Sequence, residues 1–180
     1  MINCFLTRIM QARALKKIPY SHHGKYVPLA SARRTALVVN ASDPGIAAAV
    51  DIFRKEMAAC GVDFRCICVD LGKEPVDDPV FASSPGIVRI LRKDINWYGL
   101  PREDISGGFT DKPYDILTDM SSGKRIFTID YLLRRASASL RIGTGPADTV
   151  SYDMTVSGTG PDTSPEELAA NIINYLKTIH

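Results

Sequence analysis

The sequence predicts an α/β protein with a parallel sheet and helices on both faces of that sheet, and two stretches carry this prediction. Residues 114–120 have the apolar composition of a strand, 127–136 show helical spacing, and 139–143 are typical of a second strand. The same order of strand, helix and strand occurs over residues 35–70. Because parallel strands need a long crossover connection, usually a helix, both stretches indicate a three-layer, mostly parallel, Rossmann-like sheet.

The N-terminal segment is predicted to begin with a helix. Apolar residues at positions 2, 5, 6 and 9 follow helical spacing, and basic residues border this apolar stripe. Residues 19–34 are polar and rich in helix breakers, which indicates a connector without core periodicity. Within it, His22 and His23 have no neighbouring cysteine or carboxylate, so a solvated loop is favoured over a metal site. We therefore divide the chain into a basic helix and connector over 1–34 and a single α/β domain over 35–180.

The elements of the domain follow from its apolar runs and its helix signals. Strands are predicted over 35–40, 64–69, 87–91, 114–120 and 139–143, with an outer strand over 151–157. Asp43 is predicted to cap the first helix of the domain, with Pro44 at its first position. Ser164 and Pro165 have the pattern that begins a C-terminal helix. A loop is predicted over 72–86, and residues 100–113 are a polar stretch that leads into the strand over 114–120.

The net charge of +2 is divided unequally along the chain. The first 42 residues contain seven basic residues and no acidic residue, so all acidic residues lie in the remainder. The basic residues of this arm are Arg8, Arg13, Lys16, Lys17, Lys25, Arg33 and Arg34. A basic arm on an acidic body predicts an acidic partner, which could be RNA, a membrane surface or a protein. Docking of the helix on the domain itself, or on a second copy in a homodimer, would explain the same apolar stripe.

The cysteines and the hydropathy indicate the cellular compartment of the protein. The four cysteines are Cys4, Cys60, Cys66 and Cys68, and we interpret them as small hydrophobic residues of a protein in a reducing compartment. Cys66 and Cys68 are placed on one face of a predicted strand. No apolar run approaches the ~20 residues that span a bilayer, and the first residues lack the pattern of a signal peptide. We therefore expect a cytoplasmic protein without a transmembrane segment.

The sequence predicts no catalytic residue. The histidines, His22, His23 and His180, lie away from the ends of the predicted strands, where the active sites of α/β proteins occur. The turn after the first strand has a single glycine, and Pro44 removes an amide donor, which disfavours phosphate binding there. The Gly-x-Ser-x-Gly motif and the Cys/His spacing of a zinc site are both absent.

Three aspartates are the remaining candidates for a polar site. Asp43, Asp70 and Asp119 each follow a predicted strand. Because the carboxyl ends of parallel strands meet at one edge of a sheet, these residues form a candidate ligand or metal edge. Carboxylates together with waters could hold Mg²⁺ there, which is the one cofactor that we consider. The alternative is that each aspartate caps the helix or turn that follows its strand.

An aromatic pair, Trp97 and Tyr98, stands between a polar dipeptide and the breaker-rich residues 99–101. Aromatic rings presented on a loop can form a platform for a ligand. The alternative is an aromatic plug that closes one edge of the sheet, because large aromatic side chains bury much apolar surface.

Four stretches carry a resemblance to a known family: 94–99, 109–117, 138–143 and 152–156, the last of them before a terminal helix. In this order and spacing, the chain resembles an uncharacterised family of small α/β proteins from the Bacteroidetes over most of residues 35–180. Members of that family tend to begin with a basic segment. The resemblance implies no activity, cofactor or catalytic residue.

A second resemblance is to the N-terminal half of heptosyltransferase-type glycosyltransferases. In that family, a strand and a helix similar to residues 114–120 and 132–143 occupy a similar place. The first strand-to-helix turn of that family carries an acidic residue used as a base, and Asp43 falls near its position. Here Ser42 stands in place of the usual glycine, and Pro44 follows. The resemblance implies a shared layered fold, and a fold alone does not assign a function.

Two hypotheses about function follow from these patterns. The first is a non-enzymatic binding or adaptor domain whose basic arm meets an acidic partner. The second is a transferase-like enzyme that binds a small molecule, a sugar or a nucleotide at an acidic carboxyl edge. The uneven charge and the lack of a nucleophile–base pair favour the first hypothesis.

Overall fold

The described part of the chain forms a sheet of six parallel strands. The computed structural model describes residues 4–122, 125–145, 149–158 and 163–178. The strands are β1 (Arg34–Asn40), β2 (Asp63–Asp70), β3 (Ile87–Leu91), β4 (Tyr114–Asp119), β5 (Ala138–Gly143) and β6 (Met154–Thr155). Their order is β3-β2-β1-β4-β5-β6, and every neighbouring pair is parallel. The predicted Rossmann-like sheet is confirmed, since this is the strand order of doubly wound α/β proteins.

Six α-helices accompany the described strands. They are α1 (Cys4–Lys16), α2 (Ile46–Ala59), α3 (Pro79–Ser83), α4 (Glu103–Thr110), α5 (Phe127–Arg135) and α6 (Pro165–Thr178). The predicted loop over 72–86 was wrong where it contains α3, and no helix was predicted in the polar stretch that contains α4. Both are too short to show an apolar period, and burial of Phe81 and Phe109 holds them in place. None of the helices in the described ranges is long and apolar enough to cross a membrane.

Helices cover both faces of the sheet, as predicted. Alternate residues of β1 belong to two apolar clusters, one on each face of the sheet. Leu37 and Val39 belong to one apolar cluster with α2 and α6, whereas Ala36 and Val38 belong to a second cluster with α4 and α5. None of these four side chains is more than 2% exposed. A strand buried on both faces must be apolar throughout, which accounts for the continuous apolar run in the sequence.

The connector between α1 and β1 packs along the edge of the sheet. His22 Nε2 lies 2.8 Å from Asp153 Oδ2, and the side chain of His22 is 7% exposed. Lys25 N–H donates a hydrogen bond to the carbonyl oxygen of Ser139 in β5 at 2.9 Å. Further along, Leu29 is buried in the α2–α6 cluster. The prediction of a solvated loop is wrong for His22, because its partner lies 131 positions away and leaves no periodic pattern in the sequence.

A buried arginine of β5 links this connector to α5. Arg141, 4% exposed, donates through Nη1 to the carbonyl oxygen of Leu133 at 2.7 Å and through Nη2 to that of Ala136 at 2.5 Å. These carbonyls lie at the C-terminal end of α5, where the helix itself provides no donors. Burial lowers the pKa of the Arg141 guanidinium. The ring centroid of Tyr20 lies 5.4 Å from the Arg141 guanidinium carbon and 5.0 Å from that of Arg134, which holds the connector on the sheet.

Candidate functional site

The carboxyl edge of the sheet holds the three predicted aspartates. In an open α/β sheet, a crevice forms where the strand order reverses, which is between β1 and β4 here. Asp43 lies in the turn after β1, and Asp119 is the last residue of β4, so both belong to segments at this crevice. Asp70 ends β2, the neighbour of β1 on its other side.

Asp43 joins the loops that follow β1 and β4. Its Oδ2 accepts a hydrogen bond from Ser122 N–H at 2.7 Å, and its Oδ1 accepts one from Asn40 Nδ2 at 3.1 Å. The predicted capping of α2 by Asp43 was wrong, because the helix begins at Ile46 after Gly45, whose φ is 76°. A glycine adopts this left-handed conformation without steric cost, so the chain turns once more before the helix begins.

Asp119 is the centre of a buried polar network, and its side chain is 2% exposed. Its Oδ1 accepts hydrogen bonds from Ser121 N–H at 2.9 Å and from Ser121 Oγ at 2.6 Å. Its Oδ2 accepts from Arg125 Nη1 at 2.8 Å and from the Tyr152 hydroxyl at 2.5 Å. Burial and, next, the charge of Asp119 raise the pKa of Tyr152, so this hydroxyl keeps its proton and continues to donate.

Arg125 extends the network to α5. Its Nε donates to Asp130 Oδ1 at 3.0 Å while its Nη1 binds Asp119. Burial by itself would lower the pKa of the Arg125 guanidinium, but the hydrogen bond with Asp119 and the two carboxylate charges raise it. Burial also raises the pKa of Asp130, although Arg125 opposes this shift. The network therefore consists of donors and acceptors that satisfy one another within the protein.

Asp70 forms a separate ion pair. Its fully buried carboxylate accepts hydrogen bonds from the Arg89 guanidinium and, at 2.8 Å, from Val76 N–H. Asp43 and Asp119 thus bind adjacent residues of one loop, whereas Asp70 binds neither of these residues.

In the described ranges, no group of three or more His, Cys, Asp or Glu side chains is placed to hold a metal ion. Each of the three carboxylates of the predicted Mg²⁺ edge accepts hydrogen bonds from donors of the protein, and binding of Mg²⁺ there stays a prediction.

Gly143 allows Tyr152 to reach Asp119. A Cβ atom at position 143 would lie 2.3 Å from Cδ2 of the Tyr152 ring, which is far inside van der Waals contact. We expect Gly143→Ala to lower the free energy of unfolding by about 1–3 kcal/mol in urea titrations, because the ring must move away. Gly108→Ala is the matched control, since no atom lies within 4 Å of a Cβ atom there and alanine favours the helix. Equal losses in the two variants would contradict this role of Gly143.

The structure divides the basic residues of the arm into two groups. Arg8, Arg13, Lys16 and Lys17 lie on or directly after α1 and are exposed. Lys25, Arg33 and Arg34 lie near the amino ends of β5 and β1. Arg34 is part of the sheet, because its guanidinium carbon lies 4.5 Å from the ring centroid of Tyr114 and its Nε lies 3.4 Å from Asp63 Oδ2. Lys25 and Arg33 are exposed as well, so what distinguishes the α1 group is that its four cations lie together on or directly after one helix.

α1 lies against α5 without burying any of its described residues. Ile9 and Leu15 are half-buried, but Leu6 is 47% exposed. Gln11 Nε2 donates a hydrogen bond to the carbonyl oxygen of Tyr98 at 2.9 Å. The helix is thus docked on the domain along one side only, as a partly exposed layer.

A groove lies between α1 and α5, and basic residues of the arm line it. We call it the α1–α5 groove. It has a volume of 730 Å³ and is lined by Arg13, Lys16 and Lys17 from the arm and by Arg135 and Tyr131 from α5. Arg135 is paired with Glu103. The three arm cations form no ion pair with any part of the chain that the structure describes.

The predicted aromatic pair lies beside α1. Trp97 is 48% exposed, so it does not plug an edge of the sheet, and its ring packs edge-on against Tyr98 with 5.1 Å between centroids. Tyr98 also lines the α1–α5 groove, so the structure brings one ring of the aromatic pair together with the α1 cations. Tyr131 and Arg135 were not among the residues predicted from the sequence. Their spacing of four residues on a predicted helix is the signal that could have placed them on one face.

The fold and this groove define a Rossmann-like α/β protein with a cationic surface groove. A family model, described as a family of unknown function (DUF6913), matches residues 14–179, and the chain belongs to this family. No curated protein matches the chain. The match agrees with the resemblance to an uncharacterised family, and it includes the end of α1, the connector and the whole sheet. It does not bear on a Bacteroidetes origin or on the likeness to glycosyltransferases.

Proposed function

We propose that this protein is a non-enzymatic binding or adaptor domain that takes an acidic partner in the α1–α5 groove. One observation carries the proposal: Arg13, Lys16 and Lys17 line the groove and form no ion pair in the described part of the chain. Guanidinium and ammonium groups bind phosphate and carboxylate groups through charge-assisted hydrogen bonds. Arg8 extends the positive surface along the exposed side of α1.

The pairing of other cations supports the groove as the binding surface. Arg89 binds Asp70, and Arg125 binds both Asp119 and Asp130. These charges are largely neutralised by their partners within the domain. α1 has no acidic residue of its own, so the field of its cations extends into solvent and can attract an acidic partner.

A cytoplasmic location is part of the proposal. All four cysteines are free thiols, and Cys4 and Cys60 are exposed. Exposed free thiols persist in a reducing compartment, which supports this location.

The second candidate is a transferase-like enzyme that binds a sugar or a nucleotide at the carboxyl edge. The observation in its favour is that Asp43 and Asp119 lie at the point where the strand order reverses. Against it, Asp119 accepts hydrogen bonds at both oxygens from Ser121, Arg125 and Tyr152, so a ligand or Mg²⁺ would have to displace these donors. An increase in melting temperature on addition of Mg²⁺ or Mn²⁺ would support this candidate.

Charge reversal in the groove tests the first proposal. We expect Lys16→Glu together with Lys17→Glu to weaken binding of the full chain to heparin, a generic polyanion, by about tenfold or more, because each lysine near an anionic surface contributes about 1 kcal/mol. Fluorescence anisotropy of labelled heparin at several salt concentrations measures this change. The wild-type affinity should fall steeply with salt, and that of the variant less steeply.

The matched control is Lys73→Glu together with Lys112→Glu, which changes the net charge equally at exposed positions outside the groove. Equal weakening in both double variants would contradict binding in the groove and would indicate a net-charge effect.

Light scattering on the same samples tests whether the protein forms a homodimer. A doubled mass that Leu6→Glu abolishes would assign the exposed side of α1 to a dimer contact.

A further inference from the structure

The loop that carries the aromatic pair is held rigidly. Asn96 Oδ1 accepts a hydrogen bond from Tyr98 N–H at 3.1 Å, and Gly99 turns the chain with a φ of 93°. The Thr128 hydroxyl donates to the carbonyl oxygen of Gly99 at 2.7 Å, which ties the loop to α5. These contacts fix the backbone of the loop around Trp97 and Tyr98, and a loop that is ordered before a ligand binds lowers the entropy cost of binding.

Trp97 leaves about half of its surface in water although the loop is fixed, with an exposure of 48%. Its ring meets Tyr98 at an angle of 77°, so the two rings form a corner and not a stack. Tyr98 is in turn backed by the ring of Phe127 at 6.4 Å between centroids. A large exposed ring on a fixed and supported loop provides a surface on which a planar group can stack.

Cations lie on both sides of this aromatic corner. Tyr98 lines both the α1–α5 groove, with Lys16 and Lys17, and a second cavity of 580 Å³. The second cavity is lined by Trp97 and by Arg92, which forms no ion pair in the described ranges. The order along the surface is therefore cations, aromatic rings, and a cation again.

We infer that the acidic partner is a single-stranded nucleic acid, an inference that rests on the function proposed above. Proteins that bind single strands combine a positive groove, which follows the phosphates, with aromatic side chains on which the bases stack. Lys16, Lys17 and Arg92 take the phosphates, and Trp97 and Tyr98 take the bases. A duplex does not fit this arrangement, because its bases are stacked on one another and present no free faces.

The full-length chain tests the inference through its single tryptophan, Trp97. Single-stranded RNA and single-stranded DNA of about 12 nucleotides, a length within the usual site size, are titrated separately while tryptophan fluorescence and anisotropy are recorded. A duplex of equal phosphate number and heparin are titrated in parallel. We expect at least one single strand to quench Trp97 and to bind about tenfold or more tightly than the duplex, and the comparison of the two strands identifies the sugar.

Trp97→Ala should weaken single-strand binding by about 5- to 100-fold, because stacking of a base contributes strongly to affinity, and should leave heparin binding unchanged. Trp97→Phe retains an aromatic face and should recover most of the lost affinity. Tyr175→Ala is the matched control: Tyr175 is 45% exposed on α6, away from the groove, and its removal should have no effect. Circular dichroism verifies that each variant is folded.

The outcomes separate this inference from the proposal beneath it. One outcome is that heparin binding depends on Lys16 and Lys17 while Trp97 is not quenched and single strands are not preferred. That outcome overturns the inference of a single-stranded nucleic acid and leaves the proposal of an acidic partner in place. Stronger binding to vesicles of anionic lipid than to either strand also overturns it, in favour of a membrane. Absence of binding to every polyanion overturns both.

Discussion

Asp119→Ala is expected to lower the free energy of unfolding by about 3–5 kcal/mol, the range for breaking a buried ion pair by removing one partner. The substitution removes the acceptor of the Tyr152 hydroxyl and one of the two carboxylates that Arg125 binds, while Asp130 remains. Arg125 is 28% exposed and can turn partly toward water, which places the loss in the lower part of that range. Urea unfolding followed by circular dichroism measures the change.

Two control variants show whether the hydrogen-bond network or the charge of Asp119 alone accounts for the loss of stability. Asp119→Asn keeps the shape and one acceptor oxygen and should lose less stability than Asp119→Ala. Asp104→Ala removes a carboxylate whose ion pair with Arg102 is exposed, and no measurable loss is expected there. A loss for Asp119→Ala no larger than that for Asp104→Ala would mean that the network contributes nothing to stability.

Stability is expected to fall steeply above pH 9, because several buried acids keep their protons in the folded state. Burial raises the pKa of Cys68 from 9.0 to about 12 and raises that of Cys66 as well. Burial likewise raises the pKa of Tyr114 from 10.0 to about 12. Each contribution is fully present below the unfolded pKa and is lost as the pH rises toward the folded pKa. Each group therefore contributes a slope of about 1.4 kcal/mol per pH unit within its window.

The interval between pH 9 and pH 10 isolates the thiols, since Tyr114 in the unfolded chain begins to titrate only near its ordinary pKa of 10.0. Urea titrations in the presence of a reductant should give a smaller slope for Cys66→Ala together with Cys68→Ala than for the wild type. Cys4→Ser together with Cys60→Ser, at exposed positions, should leave the slope unchanged. An unchanged slope in the buried double variant would contradict the prediction.

Elements with a long apolar pattern could be predicted from the sequence. β1 is apolar without interruption because both of its faces are buried, and this pattern needs no knowledge of its neighbours. The start of α6 was also predictable, because a helix cap is a contact between residues close in sequence. Ser164 Oγ indeed accepts a hydrogen bond from Glu167 N–H at 3.2 Å, directly before the helix that begins at Pro165.

The candidate site was predictable in its parts and not in its assembly. The sequence placed Asp119 at the end of a strand and singled out Trp97, Tyr98 and the basic residues of α1. It could not show that Asp119 is already satisfied by Tyr152, which lies 33 positions away. It also could not show that Gln11 binds Tyr98, 87 positions away, and so brings the arm to the aromatic pair.

By itself, therefore, the sequence determined the layered parallel fold, the position of most strands and the charge of the arm. These properties follow from periodicity and composition, which are local to a segment. The tertiary structure alone decided which charges are paired inside the domain, as Asp70, Asp119 and Arg125 are, and which form no ion pair in the described part of the chain, as is true of Lys16 and Lys17. A charge is neutralised by whatever lies within a few ångströms of it, and neighbours at that distance are set by packing between segments that are far apart in the chain.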